Sequence, residues 1–285
     1  MNSTFFDLSG KIDPQTIAVF SALRNVADSL GIPFFVVGAT ARDFILKDCY
    51  GIELPRMTRD IDLAVEVASW EQFNKLIEAL KDTGKFSPDK RECHRLHFDS
   101  LPIDMLPFGP IADADRKITW PPEHEVFMSV IGFKEAYESS ITVRLSANPL
   151  LDIKLPTLPG LALMKIVSWK EKYPERRKDA EDLLLIMDNY ESVGTFDRLY
   201  DTEQELLQEE KFDVGLASIR LLGRDMARMA DPETLNRVKA ILDDETREKS
   251  RYSLVTDMVR GSGSIEDRFE QIRLHVEKLR KGFLE

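Results

Sequence analysis

FVVGATARDFIL, residues 35–46, and RMTRDIDLAV, residues 56–65, decide how this chain reads. In the first stretch, aromatic and β-branched residues run into Gly38. In the second, Asp60 and Asp62 interrupt an apolar run at alternate positions. Successive side chains of a strand point to opposite faces. Ile61, Leu63, Val65 and Val67 then form an apolar face, and Asp60, Asp62, Ala64 and Glu66 form the other. Two carboxylates so placed suit Mg²⁺, which takes hard oxygen ligands and completes its shell with substrate phosphates. A solvated strand edge would show the same pattern.

The glycine narrows the choice. Gly38 follows a short buried strand, 34–37, and precedes a helix expected over 40–47. Without a side chain it lets a phosphate approach the backbone, and Thr40 can cap a helix whose first amides attract anions. An ordinary strand-to-helix turn also favours glycine. A glycine turn about twenty residues before Asp-X-Asp is more specific than either part. A third carboxylate comes from LPIDMLPF, 101–108, where Leu101, Ile103 and Met105 share one face and Asp104 takes the other. The stretch 93–108 reads as a hairpin turning near Asp99-Ser100, which can bring Asp104 beside Asp60 and Asp62. Three converging carboxylates can hold two metals that clamp the attacking and leaving oxygens of a phosphoryl displacement. An exposed polar position on an amphipathic strand is the plainer account of Asp104.

Around this unit the pattern is helix 13–30, strand 34–37, helix 40–47, strand 60–67, helix 70–81 and the hairpin. A Pro-rich stretch, 109–124, reads as irregular, with strands around 126–131 and 141–145. Pro156 and Pro159 mark a junction. Helices are expected over 160–172, 176–190, 201–210, 215–229, 232–242 and 264–280, with a joint at 260–268. The order implies an α/β half followed by an α half.

The chain has 285 residues and a formal net charge of −11, so any nucleic-acid contact must be local rather than a long basic groove. Cys49 and Cys93 suit neither a disulfide framework nor a zinc site. The first residues lack the form of a signal peptide, and the longest apolar run, 32–41, is too short to cross a bilayer. A cytoplasmic protein with no membrane partner is the expectation. His94, His97 and His124 lack metal-ligand spacing. Trp120 either walls a cleft or packs. The basic run 170–178 is either an RNA-backbone contact or a solvated helix end.

The glycine turn, helix, Asp-X-Asp strand and later single Asp resemble the nucleotidyltransferase superfamily to which DNA polymerase beta belongs. GATARDFIL, 38–46, is similar to the Gly-Gly-Ala-Val-Arg-Asp pattern of tRNA CCA-adding enzymes. GATA with RMTRDIDLAV is closer to the AbiEii-type nucleotidyltransferases of toxin–antitoxin and abortive-infection systems. Their pattern is Gly-Gly/Ser-Thr-Ala, then Arg-X-Thr-X-Asp-Ile-Asp. Ala39 departs from it where Gly or Ser is usual. Loss of a Ser hydroxyl there removes a phosphate contact, and whether Thr40 replaces it is open.

LPGLALMKIVSWKEKYPERRKDAEDL, 158–183, resembles that family's later motifs, a Lys in an apolar helix and then Lys-Asp-X-X-Asp. By itself, Lys165 in so apolar a helix must snorkel or find a partner. The resemblance makes it a phosphate ligand and matches Asp179 to a later acidic residue. Asp182 is either part of the same site or a first-turn helix acid.

The resemblance implies an α/β (α+β) fold with a nucleotidyltransferase-type mixed sheet and a C-terminal helical region. Residues 1–155 would be the catalytic domain, and 156–285 a helical domain completing the cleft. It implies a Mg²⁺-dependent transfer of a nucleoside monophosphate from an NTP to an acceptor hydroxyl. Gly38, Ala39 and Thr40 would cradle the triphosphate together with Lys165. Asp60, Asp62 and Asp104 would bind two metals, and Lys165 and Asp179 would serve catalysis. ATP or another NTP is then the substrate, tRNA or another RNA the acceptor, and a cognate antitoxin the protein partner. Two alternatives stay open, an antibiotic-type small-molecule nucleotidyltransferase and an inactive nucleotide-binding module.

Overall fold

A computed structural model describes residues 5–92, 94–121, 127–260 and 265–285. Cys93, His124, the start of the strand expected at 126 and residues 261–264 of the joint lie outside the described residues. The chain divides into two compact units, Met1–Thr157 and Leu158–Glu285.

The first unit opens with strand β1 (Phe5–Asp7), helix α1 (Pro14–Leu30), strand β2 (Phe34–Val37) and helix α2 (Gly38–Asp43). Asp13 caps α1 through the Thr16 amide, and Pro14 stands in its first turn, as the sequence predicts. Next come β3 (Ile61–Glu66), α3 (Trp70–Asp82), β4 (Phe86–Pro88), β5 (Arg95–Phe98) and β6 (Leu101–Phe108). The unit ends with β7 (Lys117–Thr119), β8 (Phe127–Ser129), α4 (Phe133–Glu138), β9 (Ile141–Ala147) and β10 (Leu150–Leu155).

The main sheet has the order β2-β3-β6-β5-β4. It is mixed: β3 and β6 run parallel, and the other pairs are antiparallel. A second sheet, β1-β9-β10, and the β7-β8 ribbon complete the unit. Ile61, Leu63, Val65 and Val67 are all buried, so the apolar face of β3 is core.

The opposite face differs from a simple solvated edge. Ala64 is fully buried there. The register sets Phe35 beside Ala64 and Phe108 beside Glu66. Phe35, Phe108, Phe133 and Tyr137 close over that half of the face, with the Phe35 ring 5.5 Å from both Phe108 and Tyr137. Aromatic packing thus leaves the acidic half, around Asp60 and Asp62, as the polar end of one face.

Several expectations are corrected. The helix expected over 40–47 starts at Gly38 and passes into a π-helical stretch, Phe44–Cys49. Thr40 does not cap it; its hydroxyl donates to the Asp60 carbonyl at 2.7 Å. The irregular stretch holds β7, which pairs with β8. Strand β10 was hidden between Pro149 and Pro156, although Leu151, Ile153 and Leu155 alternate inward.

The second unit is helical: α5 (Leu158–Glu171), α6 (Arg177–Asn189), α7 (Thr195–Asp201), α8 (Gln204–Glu209), α9 (Val214–Met229), α10 (Pro232–Thr246), α11 (Ser253–Val259) and α12 (Ile265–Phe283). The single helix expected over 201–210 is instead α7 and α8, and α11 was not anticipated. Helix α5 is buried on nearly every side, which its continuous apolar run requires. Helices α9 and α12 touch backbone to backbone: a Cβ on Gly223 would stand 2.2 Å from the Leu279 carbonyl oxygen.

Candidate active site

The register of β3 against β6 places Asp62 directly beside Asp104, and Asp60 precedes β3 by one residue. One oxygen of each carboxylate lies within 4.8 Å of the others. Asp60 and Asp62 are half-buried and Asp104 is buried. The three residues singled out in the sequence therefore converge.

Gly38 is pressed against this cluster. Its φ is +65°, and an added Cβ would stand 2.1 Å from Asp62 Oδ2. Any other residue would be strained in its backbone and would displace the carboxylate. Ala39 and Thr40 follow it in α2.

A buried network joins the two opening motifs. Arg42 Nε donates to Asp43 Oδ1 at 2.8 Å, and both side chains are buried. Asp43 Oδ2 accepts the Thr58 amide at 2.9 Å, and the Thr58 hydroxyl donates to Asp60 Oδ1. The Arg-Asp pair of the glycine motif thereby orients the first carboxylate of the Asp-X-Asp strand. The sequence reading left Arg42, Asp43 and Thr58 without these roles.

Arg95 was also missed. Its Nε donates to Asp104 Oδ1 at 2.6 Å and its Nη2 to Oδ2 at 2.7 Å. Those hydrogen bonds hold the guanidinium above its ordinary range although partial burial opposes it. The signal lay in the hairpin: counting back from the Asp99-Ser100 turn pairs Phe98 with Leu101 and Arg95 with Asp104.

In the second unit, Lys165 neither snorkels nor stands alone. Its Nζ is 2.7 Å from Asp179 Oδ1 and 2.7 Å from Asp182 Oδ2, and all three residues are buried. Ser168 Oγ donates to Asp179 Oδ2 at 2.8 Å. Burial pulls the lysine pKa down, but the two carboxylates outweigh it and hold the pKa above its ordinary value. Asp182 is no first-turn acid; it lies deeper in α6 and faces the lysine. In the basic run, Lys170 bonds Asp244 at 2.9 Å and Arg177 bonds Glu181 at 3.1 Å.

His97 Nε2 lies 2.8 Å from Asp89 Oδ2. His94 stacks near Trp120, which packs on Trp70 and Phe73 rather than standing apart. Among the described residues, Asp60, Asp62 and Asp104 form the one group of three or more His, Cys, Asp or Glu side chains close enough to share a metal ion. An all-carboxylate donor set fits a hard divalent cation, and only a residue without a Cβ at 38 leaves the Asp62 carboxylate in its place within that set.

Residues 21–270 match the family described as nucleotidyl transferase AbiEii toxin, type IV toxin–antitoxin system. The chain belongs to the AbiEii family. It is accordingly a nucleotidyltransferase of AbiEii toxin type, and an antitoxin is the implied counterpart of such a toxin. No curated protein matches the chain.

Solved structures similar to this AbiEii chain include the antibiotic-resistance factor ANT(2'')-Ia, at 14% identity and TM-score 0.37, covering 70% of this chain and 98% of that one. A nucleotidyltransferase-like protein from Paracoccidioides brasiliensis has 14% identity and TM-score 0.40, with 70% and 92% covered. A Thermotoga maritima CCA-adding enzyme complexed with tRNA has 17% identity and TM-score 0.34, with 93% and 67% covered. At these scores the overlap is partial, and membership rests on the family match. Among the described residues no helix is long and apolar enough to cross a membrane.

Proposed function

We propose that this chain uses Mg²⁺ to transfer a nucleoside monophosphate from an NTP to an acceptor hydroxyl on RNA, tRNA being the first candidate, in the cytoplasm. One observation carries the reading. Three carboxylates, from two parallel strands and the residue just before one of them, converge against a glycine whose missing side chain makes room for the Asp62 carboxylate.

In this reading Asp60, Asp62 and Asp104 would hold the cations. When bound, divalent cations neutralise phosphate charge and bring the attacking and leaving oxygens into line. The rest belongs to the chain. Gly38, Ala39 and Thr40, at the start of α2, would cradle the triphosphate. Thr58, set by Asp43, keeps the Asp60 carboxylate turned to one direction. Asp104 would complete the second metal site and help to take the proton from the acceptor hydroxyl, whose oxygen attacks the α-phosphorus as pyrophosphate leaves. The roles that family resemblance gives Lys165 and Asp179 in transfer belong to the same proposal, as does a cognate antitoxin as protein partner.

The test is incubation with each labelled NTP and total tRNA. Transfer of label to RNA, lost in Asp60→Asn and Asp62→Asn, is expected. Label on a small-molecule acceptor alone would replace RNA as the substrate. NTP binding without transfer to any acceptor would make the chain an inactive module, with Ala39 as the first suspect.

A further inference from the structure

Arg95 sits one strand from the acidic triad and on its face, because the hairpin register pairs it with Asp104. Its planar fork takes both oxygens of that carboxylate, at 2.6 and 2.7 Å. A second cation brought to the same oxygens would meet a positive charge already in place. Asp60 is held differently, by the neutral hydroxyl of Thr58, which leaves its charge unbalanced by that contact. Asp104 thus has an internal cation on it. The Arg95 side chain is 30% exposed against 12% for Asp104, so the arginine is the member of the pair that a ligand from solvent can reach.

Resting on the nucleotidyltransferase reading of the triad, we propose that Arg95 gates the third carboxylate. It competes with the divalent cation for Asp104 and yields when the phosphates of an NTP offer the guanidinium another partner. Arginine suits this exchange, since its fork matches carboxylate and phosphate alike. Cation and nucleotide then strengthen each other's binding, reciprocally. An arginine that merely oriented Asp104 would act with the opposite sign: its loss would weaken cation binding.

The experiment titrates Mn²⁺ alone into the full chain, followed by the electron paramagnetic resonance of the free ion. It is repeated with a non-hydrolysable ATP analogue. Arg95→Gln should bind Mn²⁺ alone about tenfold tighter than wild type, and the gain conferred by the analogue should shrink by a similar factor. Arg95→Lys, which keeps the charge but loses the fork, should fall between them. Arg95→Gln combined with Asp104→Asn should bind no tighter than Asp104→Asn, closing the cycle through Asp104. Equal or weaker Mn²⁺ binding in Arg95→Gln overturns the gate. Wild-type binding that Asp62→Asn abolishes would still leave the metal reading standing. No Mn²⁺ binding by any form, with or without the analogue, overturns both. Should Arg95→Gln fail to fold, Arg95→Lys decides alone, and affinity at or below wild type overturns the gate.

Discussion

Two acidic clusters divide this chain's chemistry, and they are built on opposite principles. In the first unit, Asp60, Asp62 and Asp104 gather within 4.8 Å, two of them half-buried. In the second, Asp179 and Asp182 are buried around the ammonium of Lys165 at 2.7 Å on either side. The first gathers three carboxylates near solvent around a partly exposed guanidinium, Arg95 on Asp104, an arrangement that a cation from outside can still enter. The second carries its own cation into the interior, which makes each member indispensable to the others. Clustered carboxylates therefore mean different things according to what the fold supplies beside them.

The largest effect should come from the second cluster. Lys165→Ala leaves two carboxylates buried without their lysine and should cost about 3–5 kcal/mol of stability, read by denaturant unfolding. A loss under about 1 kcal/mol would mean that water replaces the lysine, and the contrast between the clusters would collapse. The lysine pKa is raised in the folded chain above its ordinary 10.5. Its stabilising share is thus complete below that value and fades as pH climbs through the folded pKa. The stability gap between wild type and Lys165→Met should stay level from about pH 7 to 10 and narrow above that range.

Next come the two faces of β3. Leu63 is fully buried, and Leu63→Ala should destabilise the chain by about 2–5 kcal/mol. If Asp62→Ala proves the more damaging in thermal melts without metal, the face assignment is reversed. Gly38→Ala should cost about 1–3 kcal/mol through its positive φ, with further loss from the overlap with Asp62. Nucleotide transfer should fall far more than stability does. Unchanged transfer would show that the glycine serves only the turn.

The smallest change in stability should belong to the triad. Asp60→Asn and Asp62→Asn should each shift it by about 0.5 kcal/mol or less, or raise it, because repulsion among carboxylates is relieved. Transfer should nevertheless disappear. A strong loss of stability in both would recast the first cluster as a structural one like the second.

Local pattern alone determined much of this. Alternation along 60–67 separated the core face of β3 from its acidic face, because a strand's period of two is a property of the backbone. The Asp13-Pro14 start of α1 was legible because capping is a local demand of the helix's first amides, and the hairpin at Asp99-Ser100 because its turn residues lie between two alternating runs. The glycine turn and Asp-X-Asp strand also announced the family, since the chemistry needs those residue types close together in the chain.

Tertiary structure decided the rest. Whether Ala64 faced water depended on four aromatic rings, two of them from a helix about seventy residues later. Whether Lys165 snorkelled or was enclosed depended on the packing of α6 against α5, which brings Asp179 and Asp182 to it. Thr40 could cap a helix or reach the Asp60 carbonyl, and only the approach of β3 settled it. The partner of Arg95 was set by strand register, an arrangement between segments rather than within one. A charged side chain's meaning lies in what it is desolvated against, and that surrounding is assembled from parts of the chain far apart in sequence.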